Sequence, residues 1–275
     1  MTADELFKAG KLDDAIEAQI ADVKQHPADH AKRLFLFELL AFAGDLERAR
    51  RQVKAIQYDE IELEAAAQSY RKLIDAEEKR RKVFEEGVAP KYLQEPPPHV
   101  TQRVEALGWL RQGEPAKAAA ILEEANEAIP HITGTLNKNA FESLRDCDDL
   151  FGSVLEVMAL GEYYWVPLEQ VEALAMNPPS APRDLIWIPA RLELAEAASG
   201  EAFLPALYPG THKQADDALR LGRMTDWNET EGGPVLGVGL RSFFMGEDSV
   251  SILEWRELLV DANDAAAGTG ESSEN

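Results

Sequence analysis

"RLFLFELLAFAGDLERARRQ", residues 33–52, sets nine apolar side chains in the ten positions from Leu34 to Ala43, and only Glu38 interrupts them. Gly44 follows, and the chain turns polar. The run is far shorter than the roughly 20 residues that span a bilayer. A helix apolar on every side is normally wrapped by other helices. Leu36 and Leu40, one turn apart, are therefore expected in a core. The competing reading makes part of this helix the lining of a docking groove.

Working outward from the glycine, "AGDLERA" (43–49) has a counterpart in "AGKLDDA" (9–15). Gly10 and Gly44 lie 34 residues apart, and the pairs Leu12 and Leu46, Ala15 and Ala49 keep that offset. A period of 34 is that of the tetratricopeptide repeat, a pair of antiparallel helices. A glycine serves the turn, a small alanine five residues on allows close approach, and a proline twelve beyond the alanine closes the second helix. Ala15 is followed by Pro27 at that distance. "QGEPAKAAAILEEANEAIP" (112–130) carries a third copy, with Gly113, Ala118 and Pro130. The second copy has Ile61 in place of the proline, and a copy expected near residue 78 is unrecognisable. Ala15, Ala49 and Ala118 are each expected at a helix–helix contact.

Between the copies, residues 63–87 hold no helix breaker until Gly87 and read as one long helix. Its basic run Lys79, Arg80, Arg81, Lys82 reads as a solvated face beside its own glutamates, or else as a docking patch. "EPPPH" (95–99) reads as a stiff spacer before the next helix.

After Pro130 the rhythm changes. "SVLEVMAL" (153–160) and "EYYWVPL" (162–168) predict a hairpin turning at Gly161. "VPLEQVEALAM" (166–176) reads as a short helix, and "NPPSAP" (177–182) as an irregular connection. "LIWIPARLEL" (185–194) alternates: Ile186, Ile188, Ala190, Leu192 and Leu194 share one face, Arg191 and Glu193 the other. Gly200 marks an expected turn before "AFLPALYPG". Further short strands follow in "LRLGRMTDW", "VLGVGLRSFFM" and "VSILEWREL". The fold expected is multidomain: a tetratricopeptide-like helical domain at 1–130, then an α+β domain at 131–262 with a small antiparallel sheet or barrel. The acidic end, 263–275, reads as a disordered tail.

The chain has 50 acidic against 28 basic residues, a net charge of −22, with a normal 45% of hydrophobic residues. That balance disfavours nucleic acid and anionic membranes as partners. A single cysteine, Cys147, excludes an internal disulfide framework, and the opening "MTADELFKAGKLDDA" lacks the features of a signal peptide, so a cytoplasmic setting is expected.

No assembled chemistry emerges. "GVGLRS" (237–242) lacks the third glycine of a dinucleotide fingerprint and lies in a strand pattern, so Gly237 and Gly239 read as sites of a bulge or close backbone contact. "RDCDDLFGSVLE" gathers Asp146, Asp148, Asp149 and Glu156, which could bind a hard cation; capping and an ion pair with Arg145 are the plainer reading. Carboxylates around Cys147 oppose thiolate formation, and His131 is the nearest histidine in sequence. His212, near Asp216, reads as a loop histidine. Of Tyr163, Tyr164 and Trp165, at least one is expected in the core, the others there or at an interface.

The order and spacing of "RLFLFELLAFAGDLERAR", "RDCDDLFGSVLEV", "YYWVPLEQV", "LIWIPARLEL", "FLPALYPGT" and "LGRMTDW" resemble the ImpE family, also called TagJ- or SciE-type, from about residue 5 to 260. The resemblance implies an accessory protein of the bacterial type VI secretion system, with no cofactor, no metal, no small-molecule substrate and no catalytic residue. It implies a cytoplasmic adaptor that binds the N-terminal helical segment of the small contractile-sheath subunit and modulates sheath assembly or recycling. Two alternatives stand beside it: a general helical-repeat scaffold or chaperone for another partner, and a carboxylate–metal hydrolase in the second half.

Overall fold

A computed structural model describes residues 1–58, 60–195 and 197–261. The tail expected at 263–275 lies outside the described residues. Helices come first: α1 (Ala3–Lys8), α2 (Leu12–Gln25), α3 (His30–Phe42), α4 (Leu46–Lys54), α5 (Ile61–Glu86), α6 (Pro98–Arg111) and α7 (Pro115–Glu127). Local chemistry explains their ends. Thr2 and Glu5 form a capping box at α1, and Asp29 and Asp45 accept bonds from the Lys32 and Arg48 amides at the starts of α3 and α4. Prolines occupy the first turns of α6 and α7, where no amide hydrogen is needed.

The three copies read from the sequence share one turn. Gly10, Gly44 and Gly113 have φ of +78°, +74° and +76°. The amides of Lys11, Asp45 and Glu114 each donate 3.0 Å to the carbonyls of Leu6, Leu40 and Trp109. This six-to-one bond closes α1, α3 and α6 with a left-handed glycine, which satisfies carbonyls the helix end leaves free. Ala15, Ala49 and Ala118 sit in the following helices α2, α4 and α7 and are all fully buried.

The second half is antiparallel sheet. Its strands are β1 (Gly134–Leu136), β2 (Asn139–Phe141), β3 (Leu144–Asp146), β4 (Val154–Ala159), β5 (Glu162–Pro167), β6 (Val171–Met176), β7 (Trp187–Leu194), β8 (Ala197–Pro205), β9 (Thr225–Asn228), β10 (Leu236–Gly239), β11 (Ser242–Met245), β12 (Asp248–Ser251) and β13 (Glu257–Val260), with a one-turn helix α8 (Asp217–Arg220) before β9. Among the described residues, eight strands form an open sheet in the order β2-β1-β13-β6-β7-β8-β4-β5, beside a three-stranded β12-β11-β3 sheet and the β10-β9 ribbon.

The large sheet is covered on both faces. Val154, Met158, Tyr163, Trp165 and Trp187 share a core with Leu36, Phe37 and Leu40 of α3 and Leu73 and Ile74 of α5. Leu155, Val157, Val166, Ile188 and Leu204 face a second core with Phe243, Ile252 and Trp255. The apolar run of α3 is thus buried from Leu36 to Phe42, under the sheet as well as its neighbour helices. Its one acid, Glu38, accepts a 2.6 Å bond from Arg183.

Three expectations are corrected. Residues 166–176 are not a helix: one 3-10 turn at Leu168–Gln170 leads into β6, whose pairing with β7 and β13 overrides the helical propensity of its Leu, Glu and Ala residues. Gly200 makes no turn; it lies inside β8 opposite Leu192, beside a register shift in the β7–β8 pair. In β7 both faces are covered at the start, with Trp187 toward the helices and Ile188 toward the second core; the apolar stripe holds for Ile188, Ala190, Leu192 and Leu194, while Ile186 joins the helix-side core. The β4–β5 hairpin turns at Leu160 and Gly161, as the sequence predicts.

Candidate functional site

Helix α5 crosses the helix-facing side of β4 and β5, and a buried chain of charge joins them there. Arg80 donates to both oxygens of Glu156, at 2.7 and 2.8 Å, and to the Leu207 carbonyl at 2.8 Å. Glu156 also accepts from Arg241 and from the Tyr163 hydroxyl. Arg241 reaches on to Asp146 at 2.7 Å, whose other oxygen accepts from Tyr208 at 2.7 Å. Arg80, Arg241, Asp146 and Glu156 are each at most 5% exposed. Burial opposes ionisation of Glu156, but the Arg80 and Arg241 guanidiniums outweigh it and hold its carboxyl below the usual range. Burial raises Asp146, against the pull of Arg241.

These contacts revise two readings. The basic run 79–82 is not one uniform solvated face, although Lys82 is exposed. Arg80 is buried in the junction, Lys79 pairs with Glu162 at 2.5 Å, and Arg81 donates 2.7 Å to the Gly44 carbonyl. Alternation along α5 hides this, because the side chain that matters is one of four like charges. The acidic cluster divides as well. Asp148 accepts the Leu150 and Gly237 amides, each at 2.8 Å, and Asp149 stands 3.6 Å from Arg145. Asp146 and Glu156 are taken up by arginines instead. Among the described residues no group of three or more His, Cys, Asp or Glu side chains is arranged to hold a metal ion. Cys147 is buried and its thiol is pushed up to about 12, by burial first and then by Asp146.

Arg103 and His99 fasten α6 to the 149–150 loop and to the Leu168–Gln170 turn. Arg103 is fully buried and donates to the carbonyls of Asp149 and Leu150 and to the Asn126 side chain. With no carboxylate paired to it, burial brings it down to about 10. His99 sits 2.5 Å from a Glu169 oxygen. Tyr163 and Trp165 are core, while Tyr164 packs partly buried on the opposite face. Gly237 and Gly239 are sites of close approach: a Cβ would lie 2.4 Å from the Tyr208 ring and 2.2 Å from the Met224 carbonyl respectively. His131 is exposed.

Sequence reading took Arg80 only as one of a basic run and passed over Arg103, Tyr208 and Arg241. A signal existed for part of it. Glu38, Glu156 and Arg241 are lone charges within apolar runs, and each is buried and paired.

Beside this junction lies a cleft of about 300 Å³, bounded by α5, α6, the 209–213 loop and β10. His212 lines it, with its ring against Gly44 instead of near Asp216. No helix among the described residues is long and apolar enough to cross a membrane.

Residues 138–259 match the family model described as ImpE protein. The chain is 38% identical, over 96% of its own length and 93% of the relative's, to the type VI secretion system accessory component TagJ of Pseudomonas aeruginosa. Its fold is similar to the crystal structure of a Vibrio parahaemolyticus protein, with a TM-score of 0.86 and 25% identity, covering 96% of this chain and 99% of that one.

Proposed function

The chain belongs to the ImpE family, and from that premise we propose that it is a non-enzymatic, cytoplasmic adaptor of a type VI secretion system, binding the helical N-terminal segment of the small contractile-sheath subunit and modulating sheath assembly or recycling. The observation that carries this reading is the 38% identity to an accessory component of that system along nearly the whole chain. The helical half supports it. We read its three glycine-turned helix pairs as tetratricopeptide-like, and stacked helix pairs offer concave faces suited to an amphipathic helix. We place the principal docking surface in the helical unit 1–130, ahead of the α+β unit. Half-buried Phe7 and Phe35, whose ring centroids are 6.0 Å apart, offer apolar contact there. The acidic excess steers a basic segment in, chiefly through the on-rate.

The test titrates the full chain with the purified small sheath subunit, intact and lacking its N-terminal segment, at two salt concentrations. Stoichiometric binding of the intact subunit alone, slower to associate at high salt, supports the reading. Binding that ignores the missing segment removes the helical-peptide mode. No binding of either overturns the sheath partner and leaves the scaffold reading with another partner.

A further inference from the structure

The cleft beside the junction combines two features seldom found together in so acidic a chain. Its floor is apolar: Phe84 and Leu110 are half-buried, and Leu107, Leu150 and Phe151 are buried. Its mouth carries the cations Arg81, Arg111 and Lys213, with the neutral His212 and the one exposed acid Glu85 among them. The chain carries net charge −22, yet Arg81, Arg111 and Lys213 gather at this one rim. His212 is brought down to about 4, by burial first and then by the positive charges of Arg81 and Lys213.

The mouth cations have capacity to spare. Arg111 is exposed and makes no ion pair among the described residues; it donates 3.2 Å to the Glu85 carbonyl. Lys213 pairs with Glu85 at 2.5 Å, but both side chains are largely exposed, 58% and 46%, and such surface pairs exchange at little cost. The walls are fixed in advance. Arg80 locks α5 to β4, Arg103 locks α6 to the 149–150 loop, and the Gly237 backbone is held against the Tyr208 ring. A pre-formed apolar pocket with a few charged groups at its rim is the ordinary form of an anchor site.

We propose that this cleft anchors a protein partner by taking one large apolar side chain onto its floor while the carboxylate of a neighbouring acidic residue meets Arg81, Arg111 and Lys213. A volume of about 300 Å³ is the bottom of the range for small-molecule sites and suits one large side chain with its backbone. Arginine favours the carboxylate through its planar fork of donors. The choice of a protein as occupant rests on the adaptor reading above. The site extends the contact surface past the helical half, because Leu150, Gly210, His212, Leu236 and Gly237 also line it.

The experiment uses the full chain and four capped dipeptides: N-acetyl-Phe-Glu-amide, its Phe-Gln and Phe-Lys analogues, and Ala-Glu. Amide ¹H–¹⁵N correlation spectra report where each binds. The expected result is that Phe-Glu shifts the amides of Gly210, Leu236 and Gly237, and that Phe-Lys and Ala-Glu bind at least about tenfold more weakly, a difference of about 1.4 kcal/mol. Phe-Gln falls between. Arg111→Ala and, separately, Lys213→Glu weaken Phe-Glu but leave Phe-Gln nearly unchanged, with melting temperatures matching the parent. Absence of shifts at those amides, or equal binding of Phe-Glu and Phe-Lys, overturns the proposal. Capture of the sheath subunit is measured in parallel. Capture without dipeptide binding overturns the cleft alone, whereas dipeptide binding without capture supports the cleft and overturns the sheath partner.

Discussion

The glycine turns of the helix pairs and the junction between α5 and β4 both hold helices in place, by opposite means. A turn uses six consecutive residues, backbone hydrogen bonds and one left-handed glycine, and it recurs at Gly10, Gly44 and Gly113 with nearly the same angle and the same 3.0 Å bond. The junction uses side chains that are 76 and 85 residues apart in sequence and occurs once. The turn makes each pair; the junction sets the pairs against the sheet. Loss of a turn bond frees one neutral backbone carbonyl. Loss of a junction partner strands a charge that water cannot reach.

The largest effect should therefore come from breaking the junction. Arg80→Ala leaves Glu156 with Arg241 as its one cationic partner and Glu77 without its 3.5 Å neighbour, both buried. Removal of one member of a buried pair costs about 3–5 kcal/mol. Urea midpoints measure it. The double variant Arg80→Ala/Glu156→Ala should cost less than the sum of the two single variants, since it removes the stranded charge with its partner. Additive costs would mean that the pair is not coupled, and the contrast with the turns would lose its basis.

A smaller effect tests the pairs themselves. Ala49 is fully buried in α4, next to the pair's turn. Ala49→Leu should overpack the contact and cost about 1–3 kcal/mol. An unchanged midpoint would mean that the helices have room to separate there. The same change at Ala118 of α7 should behave alike, because Ala118 is also fully buried.

Smaller again is the cost of the turns, and here the copies should diverge. Replacing a left-handed glycine by alanine costs about 1–2 kcal/mol from backbone strain alone. At Gly113 nothing lies within 4 Å of a Cβ, so strain is the whole effect. At Gly44 the Cβ would lie 2.3 Å from His212, so Gly44→Ala should exceed Gly113→Ala in a thermal-melting comparison. Equal costs would show that the 209–213 loop yields freely, and that the turn is independent of the cleft.

The contrast also explains what could be read from sequence. The 34-residue offset, the turn glycines, the buried alanines and the hairpin at Gly161 were legible because each is settled within a few residues. The run from Leu34 to Ala43 announced a core, and its one acid announced a partner without naming it. Arg183 supplies that partner from 145 residues away. Likewise, Arg80 among Lys79, Arg81 and Lys82 has no local mark; only the crossing of α5 over β4 singles it out. Residues 166–176 misled for the same reason, since Leu, Glu and Ala there favour a helix until β7 and β13 pair on either side. Of the candidate site, Asp146 and Glu156 were visible as carboxylates, but the arginines that give them their role were not.

The finest test lies where the two regions meet, at His212, whose ring covers the Gly44 turn and whose edge lines the cleft. Arg80, Arg81 and Glu85 face it from α5, and Lys213 stands next to it in the loop. Burial and the Arg81 and Lys213 charges bring its pKa from an ordinary 6.5 to about 4. The folded protein therefore keeps this imidazole neutral across a range in which the unfolded chain binds a proton. Its contribution to stability is fully present above pH 6.5 and is lost as pH falls from there through about 4. His212→Gln removes that proton linkage, so stability should decline less steeply between those two pH values in the variant than in the parent. Equilibrium urea unfolding at several pH values reads the slope. Parallel slopes would mean that His212 is as free to charge as any surface histidine, and that the 209–213 loop does not hold it between the Gly44 turn and the cationic mouth.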